Sequence, residues 1–248
     1  MFEDRASAAK TRGRPGSGPT VRRIPRPPRA LLFDLDGTLV DSLGDLHACL
    51  NRLLAGRGLA PLGREQVRRF VGDGVRALVR RGLTAAGAAP DKATLDTACN
   101  SFMADYLAAP AIHTRPYPGV PETLAAFHAE GRRLAVCTNK PEAISVAILE
   151  ALGLAPLFSA VIGGDSTAAR KPDPLPLQAA LAALGVAAAD AVMIGDGLHD
   201  AEAAATAGMA FVGVDYGYGA DGLATLTPAP RLLRRFADLR EALSGKDS

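Results

Sequence analysis

The stretch LLFDLDGTLVDS, residues 31–42, decides the fold. Ala30, Leu31, Leu32 and Phe33 form an unbroken apolar run that ends on two aspartates, Asp34 and Asp36, one residue apart. A short apolar run closed by a turn residue reads as a strand buried on both faces. Residues two apart on an extended chain point to the same side, so the two carboxylates would stand roughly 6 to 7 Å apart. Like charges that close repel and lose hydration, and the pair therefore requires a cation, a proton or a reacting electrophile. Gly37 permits the tight turn that follows.

Outward from this strand, short apolar runs alternate with helical patterns. RLAVCT, AVIGG, AVMIGD and AFVGVD each read as a further strand buried on both faces, and each follows a helix-like segment. That alternation predicts an α/β fold, a Rossmann-like parallel sheet core wrapped by helices. Between the first strand and the second lies an interval, residues 42–115, far longer than a crossover helix needs. Its Ala-, Leu- and Arg-rich sequence carries helical spacing broken at Gly58, at Gly72 and Gly74, and at Pro90. The expectation is an inserted small all-helical cap domain over 42–115, with a catalytic core built from 29–41 and 116–248. The string TRPYPGVPETLAAF reads as the return hinge, with a core helix starting near Pro121.

Composition bounds the function classes. Of 248 residues, 48% are hydrophobic and 22% charged, a globular balance, and no apolar run approaches the ~20 residues of a membrane span. Three scattered cysteines form no CxxC pair, which predicts a reducing, cytoplasmic setting without a disulfide frame or zinc site. The net charge of +2 hides an asymmetry, because residues 1–29 hold eight Arg or Lys against two acids, leaving about −4 for the rest. Residues 1–28 read as a disordered basic tail. A nucleic-acid or partner-binding arm and an overlong translation start are the other readings of that segment.

Polar clusters fall at the predicted strand ends, where open parallel sheets bind ligands. Thr138 and Asn139 follow RLAVC and offer uncharged donors to phosphoryl oxygens, although a turn with a helix cap would use the same residue types. Lys171, in RKPDPLP, supplies an ammonium that can neutralise carboxylates and an incoming phosphate, or simply face solvent. Asp196 and Asp200, in MIGDGLHD, are the hard oxygen ligands that Mg²⁺ selects, with an aspartate helix cap as the plainer alternative. His199 between them has no second nitrogen or sulfur ligand nearby in sequence and reads as a supporting or surface residue.

In their order, DxDGT, Thr, Lys and GDxxxD, these elements resemble the haloacid dehalogenase superfamily of phosphohydrolases over residues 31–219. The resemblance implies that Asp34 is the nucleophile and Asp36 the general acid and base. It implies phosphoryl binding by Thr138 and Lys171, and a Mg²⁺ ion on Asp34, the backbone carbonyl of Asp36 and Asp196, with Asp200 acting through water. Placed side by side, FVGDGVRALVRRGL, YPGVPETL, VCTNKPE, VIGGDSTAARKPDPLPL and VDYGYG resemble the bacterial phosphoglycolate phosphatases, with Gly197 a departure where relatives more often carry Ser. That implies a small-molecule phosphomonoester substrate, most specifically 2-phosphoglycolate, hydrolysed through an aspartyl phosphate by a monomer or homodimer. Neither a membrane nor nucleic acid is expected as a partner. Asn139, Gly72, Gly74 and Arg76 are the expected substrate contacts, with Arg80 a further cation, although the same arginines fit the solvated face of an amphipathic helix. A sugar phosphate, pyrophosphate or a phosphosugar mutase reaction are the alternatives. Asp36 argues against a dehalogenase, Gly195 beside Asp196 against a mutase, and the complete set of catalytic residues against a non-enzymatic binding protein.

Overall fold

The computed structural model describes residues 24 and 27–244, so nearly all of the basic segment 1–28 lies outside the described residues. In chain order the elements are β1 (Ala30–Phe33), β2 (Val40–Asp41), α1 (Leu43–Ala55), α2 (Arg64–Arg68), α3 (Val75–Ala85), α4 (Lys92–Ala108) and β3 (Arg115–Pro116). Then follow α5 (Val120–Ala129), β4 (Arg133–Cys137), α6 (Glu142–Ala151), β5 (Ala160–Ile162), α7 (Leu175–Leu184) and β6 (Ala191–Gly195). The chain closes with α8 (Leu198–Ala207), β7 (Ala210–Val214), α9 (Ala220–Leu223), β8 (Arg231–Leu233) and α10 (Leu239–Ser244).

Six strands form one parallel sheet in the order β5-β4-β1-β6-β7-β8. β1 is central, and its alternating side chains feed two cores. Leu31 and Phe33 pack with Val120, Leu124 and Phe127 of α5 and with Leu239 of α10. Ala30 and Leu32 face Leu177 and Leu181 of α7 and Ala203 and Ala204 of α8. Two-sided burial explains why the strand reads as continuously apolar rather than alternating. Two details differ from the sequence reading. β5 is an edge strand and only half-buried, and β8 was not anticipated because RLL carries a charge and stops at two further arginines.

The interval between β2 and β3 folds as the helices α1 to α4 around their own apolar cluster, which includes Leu50, Leu54, Val79, Phe102 and Tyr106. Ile144 and Ile148 of α6 join that cluster and seat the insertion on the sheet's flank. Asp91 caps α4 by accepting a hydrogen bond from Thr94 N at 2.8 Å. Entry and exit of the insertion are tied together, since β2 and β3 pair antiparallel through Val40↔Pro116 and Asp41↔Arg115. Among the described residues, no helix is long and apolar enough to cross a membrane.

A second tie closes the neck of the insertion. Asp45, buried in the first turn of α1, accepts hydrogen bonds from His113 N at 3.0 Å, Thr114 N at 2.8 Å and Thr114 Oγ1 at 2.6 Å. Removing this carboxylate leaves buried donors unsatisfied, at about 1 to 3 kcal/mol each. Asp45→Ala should therefore lose about 3 kcal/mol of stability in urea unfolding, and a loss under about 1 kcal/mol would show that the tie is incidental.

Candidate active site

The carboxyl ends of β1, β4 and β6 converge on one cavity of about 310 Å³, roofed by the α2–α3 segment of the insertion. Its floor follows from register. Asp34 N donates to Ile194 O at 2.9 Å, so the residues just past β1 and β6 lie side by side. Oxygens of Asp34, Asp196 and Asp200 consequently lie within 4.8 Å of one another.

Lys171 makes this cluster tolerable. Its buried ammonium sits 2.6 Å from Asp200 Oδ1 and 3.1 Å from Asp34 Oδ1, and donates to Cys137 O at 2.7 Å. Burial alone would depress its pKa, but the charges of Asp200 and Asp34 overcome this and hold it charged. Burial pushes the Asp34 carboxyl up, Lys171 pulls it back, and Asp200 raises it further. Asp196, pushed to about 7 by burial and then by Asp34 and Asp200, accepts from Gly219 N at 3.0 Å and from Thr38 Oγ1 at 3.3 Å. Glycines make its niche: a Cβ on Gly37 (φ +85°) or on Gly217 would collide with the Asp196 carboxylate.

Asp36 stands apart from the triad. Lys140 Nζ donates to its two oxygens at 3.0 and 2.8 Å, and Ser42 Oγ donates to Oδ1. Burial would lower the Lys140 pKa, yet Asp36 and Tyr106 raise it, and its ammonium lies 4.7 Å from the Tyr106 ring centre on α4. Lys140 was missed in the sequence because TNKP reads as a turn; a lysine directly after a strand-end Thr-Asn pair was the available signal.

Thr138 and Lys171 line the cavity, and so do Gly72 and Gly74. Arg76 does not. It lies outside the cavity lining on α3, paired with Asp96 of α4, because one helical step turns it away from the sheet. Arg80 is exposed and likewise absent from the lining. The arginines that line the cavity are Arg69 and Arg81, with Arg81 bound to Asp73 and donating to Phe70 O at 3.1 Å. His199 also lines the cavity, with Nε2 3.4 Å from Asp73 Oδ1.

Asn139 is buried at the cavity wall, but its amide donates to Gly72 O at 3.0 Å and to Lys171 O at 2.9 Å. Both amide hydrogens are used, leaving none for a phosphoryl oxygen. At the hinge, Tyr218 Oη accepts from Ser42 N at 2.8 Å and Leu43 N at 3.0 Å while donating to Asp41 at 2.6 Å. VDYGYG thus caps the start of the insertion and shapes the Asp196 niche.

The donor set fits a small divalent cation. Four carboxylates, Asp34, Asp36, Asp196 and Asp200, against two ammonium groups leave two negative charges around oxygen-only ligands. Asp200 spends Oδ1 on Lys171 and Oδ2 on Gly197 N at 3.1 Å, so it suits an indirect role.

The sequence pattern of the haloacid dehalogenase-like hydrolases matches residues 31–214. A phosphoglycolate phosphatase of Rhodospirillum rubrum is 46% identical over 203 residues, covering 80% of this chain and 84% of that protein. The crystal structure of a predicted phosphoglycolate phosphatase from Haemophilus somnus superposes with a TM-score of 0.80 at 33% identity, over 86% of this chain and 97% of that one. The Rhodobacter sphaeroides protein CbbY, solved as a mutant in complex with xylulose-(1,5)bisphosphate, gives 0.74 at 26% identity, over 86% and 96%. With carboxylates, lysine and threonine gathered at the ends of three adjacent strands and the sequence pattern spanning most of the chain, this protein belongs to the haloacid dehalogenase-like hydrolases.

Proposed function

We propose that the protein is a Mg²⁺-dependent phosphatase that hydrolyses 2-phosphoglycolate to glycolate and phosphate through a phosphorylated Asp34. One observation carries this reading: Asp34, half-buried and paired with Lys171 beside Asp196 and Asp200, opens into a roofed cavity of about 310 Å³. That volume lies at the small end for ligand sites and suits a two-carbon leaving group.

In the proposed reaction Asp34 attacks phosphorus and the ester oxygen leaves, taking a proton from Asp36. Asp36 then accepts a proton from water as that water attacks the phosphoryl group and releases Asp34. Lys171 and Thr138 face the phosphoryl oxygens and stabilise their charge. Lys140 and Ser42 hold Asp36 at the wall between turnovers. Asp34, the Asp36 carbonyl and Asp196 would hold Mg²⁺, which supplies further charge neutralisation when bound. Arg69, at the insertion side of the cavity, offers its guanidinium to the substrate carboxylate.

Asp34→Asn should keep its thermal stability and lose at least a thousandfold in kcat. Ordinary turnover by the folded variant would overturn the nucleophile assignment. The metal site predicts a stability effect separate from activity. Mg²⁺ at a hundredfold over its Kd should stabilise the chelated protein by about 2.7 kcal/mol. Asp196→Asn should raise the melting temperature of the metal-free protein, by relieving repulsion, and abolish the Mg²⁺ shift; an unchanged shift would remove Asp196 from the site. Arg69→Ala should lower kcat/KM for 2-phosphoglycolate at least tenfold more than for ethyl phosphate, which lacks the carboxylate. Equal losses on the two esters would place the carboxylate elsewhere.

A further inference from the structure

Residues 71–75 roof the cavity, and three observations place Asn139 as what keeps them there. First, the Asn139 side-chain amide bridges two backbone carbonyls from opposite sides of the seam. Gly72 O belongs to the insertion and Lys171 O to the core loop that carries the active-site lysine. Meeting two carbonyl oxygens takes two donor hydrogens on one side chain, which this uncharged amide has and a carboxylate or a single hydroxyl lacks. Second, the roof lies close to the Asn139 backbone. A Cβ at Gly74 would come within 2.9 Å of Asn139 O and 3.1 Å of Arg170 Nη1, and Gly74 adopts φ +83°. Third, Asn139 Oδ1 is buried and unpartnered, so the side chain is placed to satisfy the two carbonyls at the expense of its own acceptor.

We infer that Asn139 is a positioning residue that latches the 71–75 roof over the cavity, rather than a phosphate ligand, and that this closure sets substrate size. The inference rests on reading the cavity as the phosphatase site. The two halves of the latch are separable. Lys171 keeps its own anchors at Cys137 O, Asp200 and Asp34 when the amide is lost, so the chemistry at Asp34 is retained. Gly72 is exposed and its carbonyl can turn to water, so the roof opens without unfolding the insertion.

The test compares the wild type, Asn139→Ala, Gly74→Ala and the double variant as full-length chains with Mg²⁺. Steady-state kinetics use 2-phosphoglycolate and the bulkier p-nitrophenyl phosphate, and hydrogen exchange is followed at residues 71–75 and in β1 and β6. Each single variant should raise KM for 2-phosphoglycolate at least tenfold with kcat within threefold, and keep or improve kcat/KM for p-nitrophenyl phosphate. Exchange at 71–75 should accelerate at least tenfold while β1 and β6 stay protected. The double variant should be no worse than the more damaged single one, because both release the same roof. A fall in kcat shared by both substrates, with exchange at 71–75 unchanged, would make Asn139 a phosphate ligand and overturn the latch. If Asn139→Ala does not fold, Gly74→Ala alone decides, since its Cβ pushes the roof away from Asn139 O and Arg170 Nη1. A wild type inactive on 2-phosphoglycolate would overturn the substrate assignment, while the exchange arm would still judge the latch.

Discussion

Everything at this site depends on one buried cation. Parallel pairing of β1 with β6 forces Asp34 and Asp196 together, and the first turn of α8 adds Asp200. Three carboxylates that close, out of water, would oppose folding. Lys171, held by Asp34, Asp200 and the Cys137 carbonyl, offsets part of that repulsion. Burial first, and the neighbouring carboxylates second, still hold the Asp34 and Asp196 carboxyls above the ordinary carboxylate range. The remaining negative charge is compatible with a small divalent cation, so the electrostatic tension in the fold and the charge of the site have one source.

The insertion is attached to the core by two kinds of contact with different consequences. At its neck, β2 pairs with β3, Asp45 grips Thr114, and Tyr218 caps α1, all buried or half-buried and hydrogen-bonded. Along its flank, apolar side chains of α6 join the helical cluster. Over the cavity the seam is polar: Asn139 to Gly72, His199 to Asp73, and Arg68 to Gly217 O at 3.0 Å. Polar contacts exchange with water at small net cost, whereas a buried apolar contact does not. The neck and flank therefore fix where the insertion sits, and the polar seam is where it can part.

Much of the fold was legible in the sequence. Four strands, β1, β4, β6 and β7, announced themselves because burial on both faces demands consecutive apolar residues, a local signal that the half-buried edge strand β5 also carries, and the glycines and Pro90 marked the breaks between helices. β8 escaped because an edge strand needs only one covered face, and RLL shows too little of it. Asp34, Thr138 and Asp196 stood out because a polar residue directly after a buried strand has few structural reasons to be there, whereas Lys171 lies in the loop between β5 and α7 and only the fold brings it to Asp34 and Asp200. Arg76 lies off the cavity, a placement hidden in the sequence because it gives spacing along α3 but not which of its faces the sheet covers; Arg81 on another face of α3 and Arg69 just after α2 line the cavity instead. Nothing local in the sequence shows what Asp45 or Lys140 meets, since their partners lie 69 and 104 positions away.

By itself, then, the sequence determined the parallel sheet, the helical insertion and the row of carboxylates at the strand ends, since each is written in the periodicity and turn chemistry of a few neighbouring residues. Only the tertiary structure decided which polar groups remain free to meet a ligand. Asn139 looks like a phosphate donor in TNKP, yet its hydrogens go to carbonyls 67 and 32 residues distant. A hydrogen-bond donor can be spent only once for each hydrogen, and which acceptor receives it is set by packing between segments far apart in the chain.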